Sequence, residues 1–310
     1  MTATDHRVAV LGIFAADLVF RAGRQPAIGE TLIGSGFVMS PGGKGSNQAV
    51  AAARSGATVT LISKIGHDAF GDMALAAWTK EGIIPRVVRS PTESTGAAGI
   101  FVNDTNGENA IIVVPGAAST IGPADIDAAA DAITTSKVFV TQLEQPFAAA
   151  RRGLEIAKAA GVITLFNPAP AAPLPDNIYP LCDYVIPNES EAASLTGMNV
   201  LSADDARRAG DVLVKKGAGT ALITLGDRGA VFHARGRSVF LAAFFAGRAV
   251  DTTGAGDAFV GAFAAALAHG FDPLDAARFA SAAAGISVTR PGAASAMARL
   301  PEIERLLAQS

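Results

Sequence analysis

The chain has 310 residues, half of them apolar and 17% charged, with a net charge of −3. Such a composition supports a large buried core and excludes an intrinsically disordered chain. The mild acidity excludes a general nucleic-acid binder or a protein held on an anionic membrane, so any bound phosphate must be met locally by backbone N–H groups and a few cations.

The predicted elements alternate between short β-rich runs and Ala-rich segments of helical spacing. A strand is expected over 8–11, a helix over 44–55 closed by Gly56, and a strand over 59–63. Further on, a strand at 138–140 precedes a helix at 148–160 and a strand at 162–166. Strands at 184–186 and 221–225 flank a helix over 203–216, and an Ala-rich helix runs to about His269. This βαβα rhythm predicts an α/β fold, a doubly wound and mostly parallel sheet with helices on both faces. Ligands in such folds bind beyond the carboxyl ends of the strands. Two stretches break the rhythm: 21–40, rich in Gly and β-formers, and 95–114, which reads as a hairpin turning at 103–107. Together, over about 18–40 and 95–115, they are expected to form a small β-sheet lid on a single domain spanning 1–310.

Cys182 is the single cysteine, which rules out an intrachain disulfide and fits a cytoplasmic protein with a buried thiol. The apolar run 8–20 is short and broken by Asp17, so neither a signal peptide nor a transmembrane helix is expected. The four histidines show no metal-ligand spacing.

The segment Asp251-Thr252-Thr253-Gly254-Ala255-Gly256-Asp257 opens the last of these helices. Gly254 and Gly256 leave bare N–H groups at a helix N-terminus, where an anion is favoured. Asp257 then either complements the helix dipole or acts as a general base toward a substrate hydroxyl. Gly42-Gly43-Lys44-Gly45-Ser46-Asn47-Gln48 is not a P-loop, because no Ser or Thr follows the lysine. It is either a Gly-rich turn opening a helix or a close backbone approach to a polyhydroxyl ligand, with Asn47 able to donate and accept. Asp17 and Glu144 each follow a strand as lone acids that need solvent or donors. Asn188 and Glu191 either form a capping box or touch phosphate and the water shell of Mg²⁺. Thr224 to Gly229 is either a hairpin turn or a nucleotide contact. A dinucleotide-binding reading fails, because Gly12-Ile13-Phe14-Ala15 stands where Gly-x-Gly-x-x-Gly would be needed.

In their order, these segments resemble the ribokinase family of carbohydrate kinases, the pfkB-type kinases, from residue 8 to about 296. Both signatures are present, at 42–47 and 251–257, and 94–96, 165–170, 187–189 and 223–226 look closest to the ribokinase branch. The resemblance implies transfer of the γ-phosphoryl group of ATP to the 5-hydroxyl of D-ribose, with Asp257 as base and Gly254, Ala255 and Gly256 as the anion hole. It implies Asp17, Gly43, Lys44, Asn47 and Glu144 on the sugar. Asn188, Thr224, Gly226, Gly229 and Gly256 would lie on ATP, with Glu191 placing Mg²⁺ through water. A monovalent cation, K⁺, would lie among Asp251, Thr253, Ser287, Arg290 and Gly292. It also implies a homodimer clasped through the lids, with no nucleic-acid or membrane partner. Four positions depart from the pattern. Ala15 stands where an asparagine usually contacts the sugar, Ser281 where His or Asn lies beside adenine, and Ala296 where a serine edges the cation site. Phe101 is a bulky residue expected near the sugar. These departures leave another pentose, a nucleoside or a sugar acid as alternative acceptors, and a non-catalytic sugar sensor as the rival without chemistry.

Overall fold

The computed structural model describes residues 6–309; residues 1–5 and 310 of the expected domain lie outside the described residues. In chain order β1 (Arg7–Leu11), β2 (Ala15–Ala22) and β3 (Gly36–Gly42) lead into α1 (Lys44–Arg54), β4 (Thr58–Gly66), α2 (Ala69–Lys80) and β5 (Ile84–Ser90). The hairpin β6 (Thr95–Asn103) and β7 (Asn109–Gly116) precedes the short helices α3 (Pro123–Ala128) and α4 (Ala130–Thr134). Then come β8 (Val138–Thr141), α5 (Phe147–Ala159), β9 (Ile163–Phe166), β10 (Tyr184–Val185), α6 (Glu189–Thr196) and α7 (Ala203–Lys215). The chain closes with β11 (Thr220–Thr224), β12 (Gly229–Ala234), β13 (Arg237–Ala242), α8 (Ala255–Ala268), α9 (Pro273–Ser287) and α10 (Leu300–Leu307).

The main sheet is nine-stranded in the order β13-β12-β11-β10-β9-β8-β1-β4-β5. It is parallel except for the antiparallel pairs that β12 makes with β11 and β13. Its central strands β1, β8 and β9 are mostly apolar on both faces, because both faces are covered. Val8 and Val10 point into one core with α1, α8 and α9, while Ala9 and Leu11 point into the other with α5 and α7. Each fully buried large aliphatic side chain contributes roughly 1.5–3 kcal/mol. Trp78 of α2 is fully buried, and its indole N–H donates to Ser46 Oγ at 2.9 Å, tying α2 to the start of α1. Helix starts are marked locally: Asp68 accepts from Gly71 N, and Ser202 accepts from Asp205 N. No helix among the described residues is long and apolar enough to cross a membrane.

The strand order reverses beside β1, which has β4 on one side and β8 on the other. A crevice opens at that point, beyond the carboxyl ends of the strands.

The second sheet has four strands, β3-β2-β6-β7, with β2 and β6 parallel. Residues 23–35, counted in the expected lid, form a loop rather than a strand, and the sheet begins earlier, at Ala15. Asp17 therefore lies inside a strand, opposite Ser40 on β3 and Ala98 on β6. Because strand side chains alternate between faces, Val19 and Ile100 share the face of Asp17, whereas Phe20 and Phe101 share the other. Phe101, expected near the sugar, is placed by this register on the face opposite Asp17.

Candidate active site

The N-terminus of α1 is pressed onto the end of β1 by glycines. A Cβ at Gly45 would lie 2.5 Å from Gly12 Cα, and one at Gly43 would lie 2.7 Å from Ile13 O. Gly43 also has φ of 89°, a left-handed conformation that favours glycine. This contact sets Lys44 on the wall of a cavity, with Asn47 and Gln48 buried behind it. On the other side α8 begins at Ala255, with Gly254 as its N-cap at φ 75°. The two helices touch where α8 carries Gly261, since a Cβ there would lie 2.4 Å from Gln48 O.

Asp257, in the first turn of α8, is 6% exposed. Its Oδ2 accepts from Asn47 Nδ2 at 3.1 Å and its Oδ1 from Gln48 Nε2 at 3.0 Å. Gln48 Nε2 also reaches Asn167 Oδ1 at 3.0 Å, and Gln48 Oε1 accepts from Gln142 Nε2. Asn167 in turn donates to Ile186 O at 2.8 Å. Gln142, Asn167 and Ile186 follow β8, β9 and β10, so the strand ends orient the amide that orients Asp257. Asn47 Oδ1 is buried and lacks a hydrogen-bond partner, which leaves it open to a hydroxyl donor.

Burial pushes the Asp257 carboxyl above its ordinary range, while the Lys44 charge and the Asn47 and Gln48 hydrogen bonds work against that rise. Burial works to lower Lys44, but Asp257, Glu144 and Glu191 together outweigh it and hold the ammonium above its ordinary value. Burial drives Glu144 up to about 7, against the hydrogen bond its Oε2 accepts from Lys44 N at 2.7 Å. It drives Asp17 up to about 6 and raises Glu191. The site thus gathers Asp257, Glu144 and Glu191 around the half-buried Lys44, with Asp17 beside Glu144.

Two joined cavities open beside Asp257. The smaller, about 160 Å³, is lined by Lys44, Asn188, Glu191, Gly254 and Asp257 among others. The larger, about 690 Å³, extends past Gly226 and Gly229 to Phe244, Phe259 and Ser281. Asn188, Thr224, Thr252, Ala255 and Gly256 line both. A Cβ at Gly256 would meet nothing within 4 Å, so the backbone there is open to a close ligand, a cradle at a helix N-terminus of the kind that favours an anion. The cavities and this cradle fit a nucleotide with its phosphates toward Asp257.

At two segments that the sequence left between a local and a ligand-binding role, the local structure is present and the residues also line a cavity. Asn188 and Glu191 form a complete capping box on α6, and both also line the small cavity. Gly226–Arg228 is a tight turn between the antiparallel strands β11 and β12, and its flanks line the large cavity. Glu191 Oε2 is occupied by Asn188 N at 2.9 Å. No group of three or more His, Cys, Asp and Glu among the described residues suits a metal ion. One carboxylate at the cavity wall fits magnesium held through water, since Mg²⁺ keeps several waters and is shared with phosphates.

Asp251 ties two loops beside Gly254. Its Oδ1 accepts from Thr253 N at 2.9 Å and its Oδ2 from Gly292 N at 2.8 Å. Burial works to raise its carboxyl, but these hydrogen bonds hold it below the ordinary carboxylate range. The monovalent cation expected from the sequence would lie around this carboxylate, whose two oxygens both accept from backbone N–H groups. The side chains of Ser287 and Arg290 are engaged elsewhere, with Ala284 O and Glu302 respectively, so only their main chain could serve it.

Gln142 and Asn167 have no role in the sequence reading, and Gln48 appears there only as part of its segment. A signal exists: Asn47 and Gln48 are polar residues inside an otherwise small, apolar helix, where buried amides need partners.

The profile of the pfkB family carbohydrate kinases matches residues 5–299. The chain is 39% identical over 300 residues to a deoxyribokinase of Salmonella typhi, covering 96% of each chain. It is 40% identical over 289 residues to a ribokinase of Haemophilus influenzae, covering 93% of this chain and 94% of that one. Among solved structures, Arabidopsis thaliana ribokinase complexed with ribose and ATP matches with a TM-score of 0.92 at 29% identity, over 98% of this chain and 99% of that one. The ribokinase-like fold, the chain-long profile match and the relatives agree: this chain belongs to the pfkB family of carbohydrate kinases.

Proposed function

We propose that this protein is an ATP-dependent ribokinase that phosphorylates the 5-hydroxyl of D-ribose, with Asp257 as general base. The observation that carries the reading is the buried Asp257 carboxylate, held by Asn47 and Gln48 at the junction of the sugar crevice and the Gly256 cradle. A pure sensor has no need of a base there.

In the proposed reaction, Asp17, Asn47 and Glu144 hold the sugar hydroxyls, with Gly43 and Lys44 closing on them. Asp257 takes the proton of the hydroxymethyl group. The freed oxygen attacks the γ-phosphorus in line; the new O–P bond forms as the bond to the β-phosphate bridging oxygen breaks, and ADP leaves. The N–H groups of Gly254 and Gly256 donate to the developing negative charge, joined by that of Ala255 if it gives up its 3.2 Å bond to Thr252 O. Asn188, Thr224, Gly226 and Gly229 line the nucleotide. Glu191 would hold magnesium through water, and the ion would neutralise charge on the phosphates. K⁺ is assigned to the loops around Asp251, Thr253, Ser287, Arg290 and Gly292, where it would support the anion hole. The four-stranded sheet acts as a lid that excludes water when sugar binds. Its exposed apolar side chains, Phe37 at 57% and Ile112 at 75%, support a homodimer joined through the lids. The single buried thiol, Cys182, supports a cytoplasmic protein.

A second reading, 2-deoxyribose as acceptor, is favoured by Ala15. This residue lies opposite Gly42 and Gly96 at the base of the lid, where it offers no polar side chain to a 2-hydroxyl. A site that does not hydrogen-bond a hydroxyl discriminates poorly for it. The test is ADP release with Mg-ATP and ribose, 2-deoxyribose, fructose, a 2-keto-3-deoxy sugar acid, adenosine and inosine, each in K⁺ and in Na⁺. K⁺-activated turnover on ribose supports the first reading. Preference for deoxyribose moves the assignment to the second. Sugar binding without turnover on any acceptor overturns both.

A further inference from the structure

Arg54 is the last residue of α1, at the end opposite Asn47 and Gln48. Its side chain is only 13% exposed, and all of its polar reach is used. Nε and Nη2 form a fork on Glu81, at 3.0 Å to Oε2 and 2.7 Å to Oε1. Nη1 donates to Ser295 O at 3.1 Å and Met297 O at 2.9 Å. Glu81 caps the C-terminus of α2, and its side chain is 8% exposed. One guanidinium therefore joins α1, α2 and the loop that follows α9.

That loop is the backing of the Gly254 turn. A Cβ on Gly254 would meet Ala293 Cβ at 3.0 Å and Met297 Cε at 3.5 Å. The same loop carries Gly292, whose N–H is bonded to Asp251. Helix α1 thus bears on the first turn of α8 by two routes, one direct and one through the 293–297 loop. Its N-terminal end holds the Asp257 carboxylate through two amides, and its C-terminal end holds the wall behind Gly254 through Arg54.

From this geometry we infer that Arg54 is a positioning residue for the anion-binding turn and for the cation loop beside it. It fixes the 295–297 backbone against Gly254 and so sets how the Gly254–Gly256 amides meet the transferred phosphoryl group. The inference rests on the kinase reading above for its catalytic consequence, but not for its structural one. Lysine cannot replace Arg54 here, because a single ammonium can pair with Glu81 but cannot also span two carbonyls.

The test is Arg54→Lys in the full chain. Expected are a kcat lowered about tenfold and a similar rise in the K⁺ concentration for half-activation, with KM for the sugar changed less than about twofold. In the protein without substrates, amide hydrogen exchange should accelerate at 254–256 and 292–297 and stay unchanged at the Asp17 and Gln142 strands. Met297→Ala cuts the same path from the Gly254 side without touching the Arg54–Glu81 pair, and should give the same signature. The inference is overturned if both variants lower the melting temperature while kcat, K⁺ dependence and exchange at 254–256 match the parent, for Arg54 is then only a structural brace. Because exchange is read without turnover, a parent protein inactive on every sugar would sink the kinase reading and leave this measurement decisive for the clamp.

Discussion

Gln48 and Asp257 stand 209 positions apart in the chain, and Gln48 Nε2 lies 3.0 Å from Asp257 Oδ1. The amide is not free to turn away, because Gln142 donates to its oxygen and Asn167 accepts from its nitrogen. A donor fixed in this way stabilises the ionised carboxylate, the form a base must have before it can take a proton.

Removing that donor gives the first prediction. Gln48→Met should leave Asp257 with one amide donor and raise its carboxyl further, since burial already pushes it up. A base with a raised pKa is protonated over a wider range, so the acid limb of the kcat/KM profile should move to higher pH. The measurement is a pH–rate profile of parent and variant. An unmoved acid limb with a uniformly lower rate would assign Gln48 to packing alone.

Asp257→Asn tests the base itself. Loss of a positioned general base costs about 10²–10⁴-fold in turnover. Sugar affinity by calorimetry should stay close to that of the parent, since the amide keeps an acceptor oxygen in the same place. Parallel loss of binding and turnover would make the carboxylate structural rather than catalytic.

Much of this site was legible because Lys44, Asp257 and Glu191 sit at helix starts and Glu144 follows a strand, where sequence patterns announce both; Asp17, inside β2, is the exception. The Gly254 to Asp257 segment and the Gly42 to Asn47 segment each carry a helix start that the structure places as read. The hairpin at 95–114 was legible from alternating β-formers around polar turn residues. What stayed hidden depends on register and on long-range packing. That Phe101 faces away from Asp17 follows only from which β6 residue pairs with which β2 residue, and a slip of one would reverse it. The Gln48, Gln142 and Asn167 chain joins neutral amides from separate elements, and nothing in the local pattern of any one points to the others. Arg54 likewise reads as an ordinary basic residue in the last turn of a helix until Ser295 and Met297 are brought to it.

Gly256→Ala separates folding from phosphate binding. A methyl group there meets no protein atom within 4 Å, and the glycine has no positive φ to lose. In the first turn of a helix the change should be neutral or stabilising by up to about 1 kcal/mol. The open space it fills is the cradle shared by both cavities. Thermal unfolding should therefore show an unchanged or raised melting temperature while KM for ATP rises and kcat falls. Gly254→Ala is the contrast, because φ of 75° and Ala293 at 3.0 Å make that position strained. A Gly256→Ala enzyme with unaltered kinetics would remove the cradle from the proposed phosphate path.

The carboxyls of the sugar crevice set a pH dependence of definite sign. Burial raises Asp17 to about 6 and Glu144 to about 7, both above their ordinary values. A carboxyl raised on folding contributes stability that is fully present below its unfolded pKa and is lost as pH rises through its folded pKa. The sugar-free protein should accordingly lose stability as pH climbs from the ordinary carboxylate range toward about 7, the folded value of Glu144. Sugar hydroxyls donate to the ionised forms, so binding runs the other way. KM for the sugar should rise as pH falls through about 7 and again through about 6, the values of Glu144 and Asp17. Glu144→Gln should flatten the upper step in both measurements, because an amide has no proton to exchange in this range. Melting temperature against pH without sugar, beside KM against pH with it, reads the two trends in one protein. If KM instead rises as pH climbs, so that affinity is lost together with stability, the crevice carboxyls are not the groups that meet the sugar.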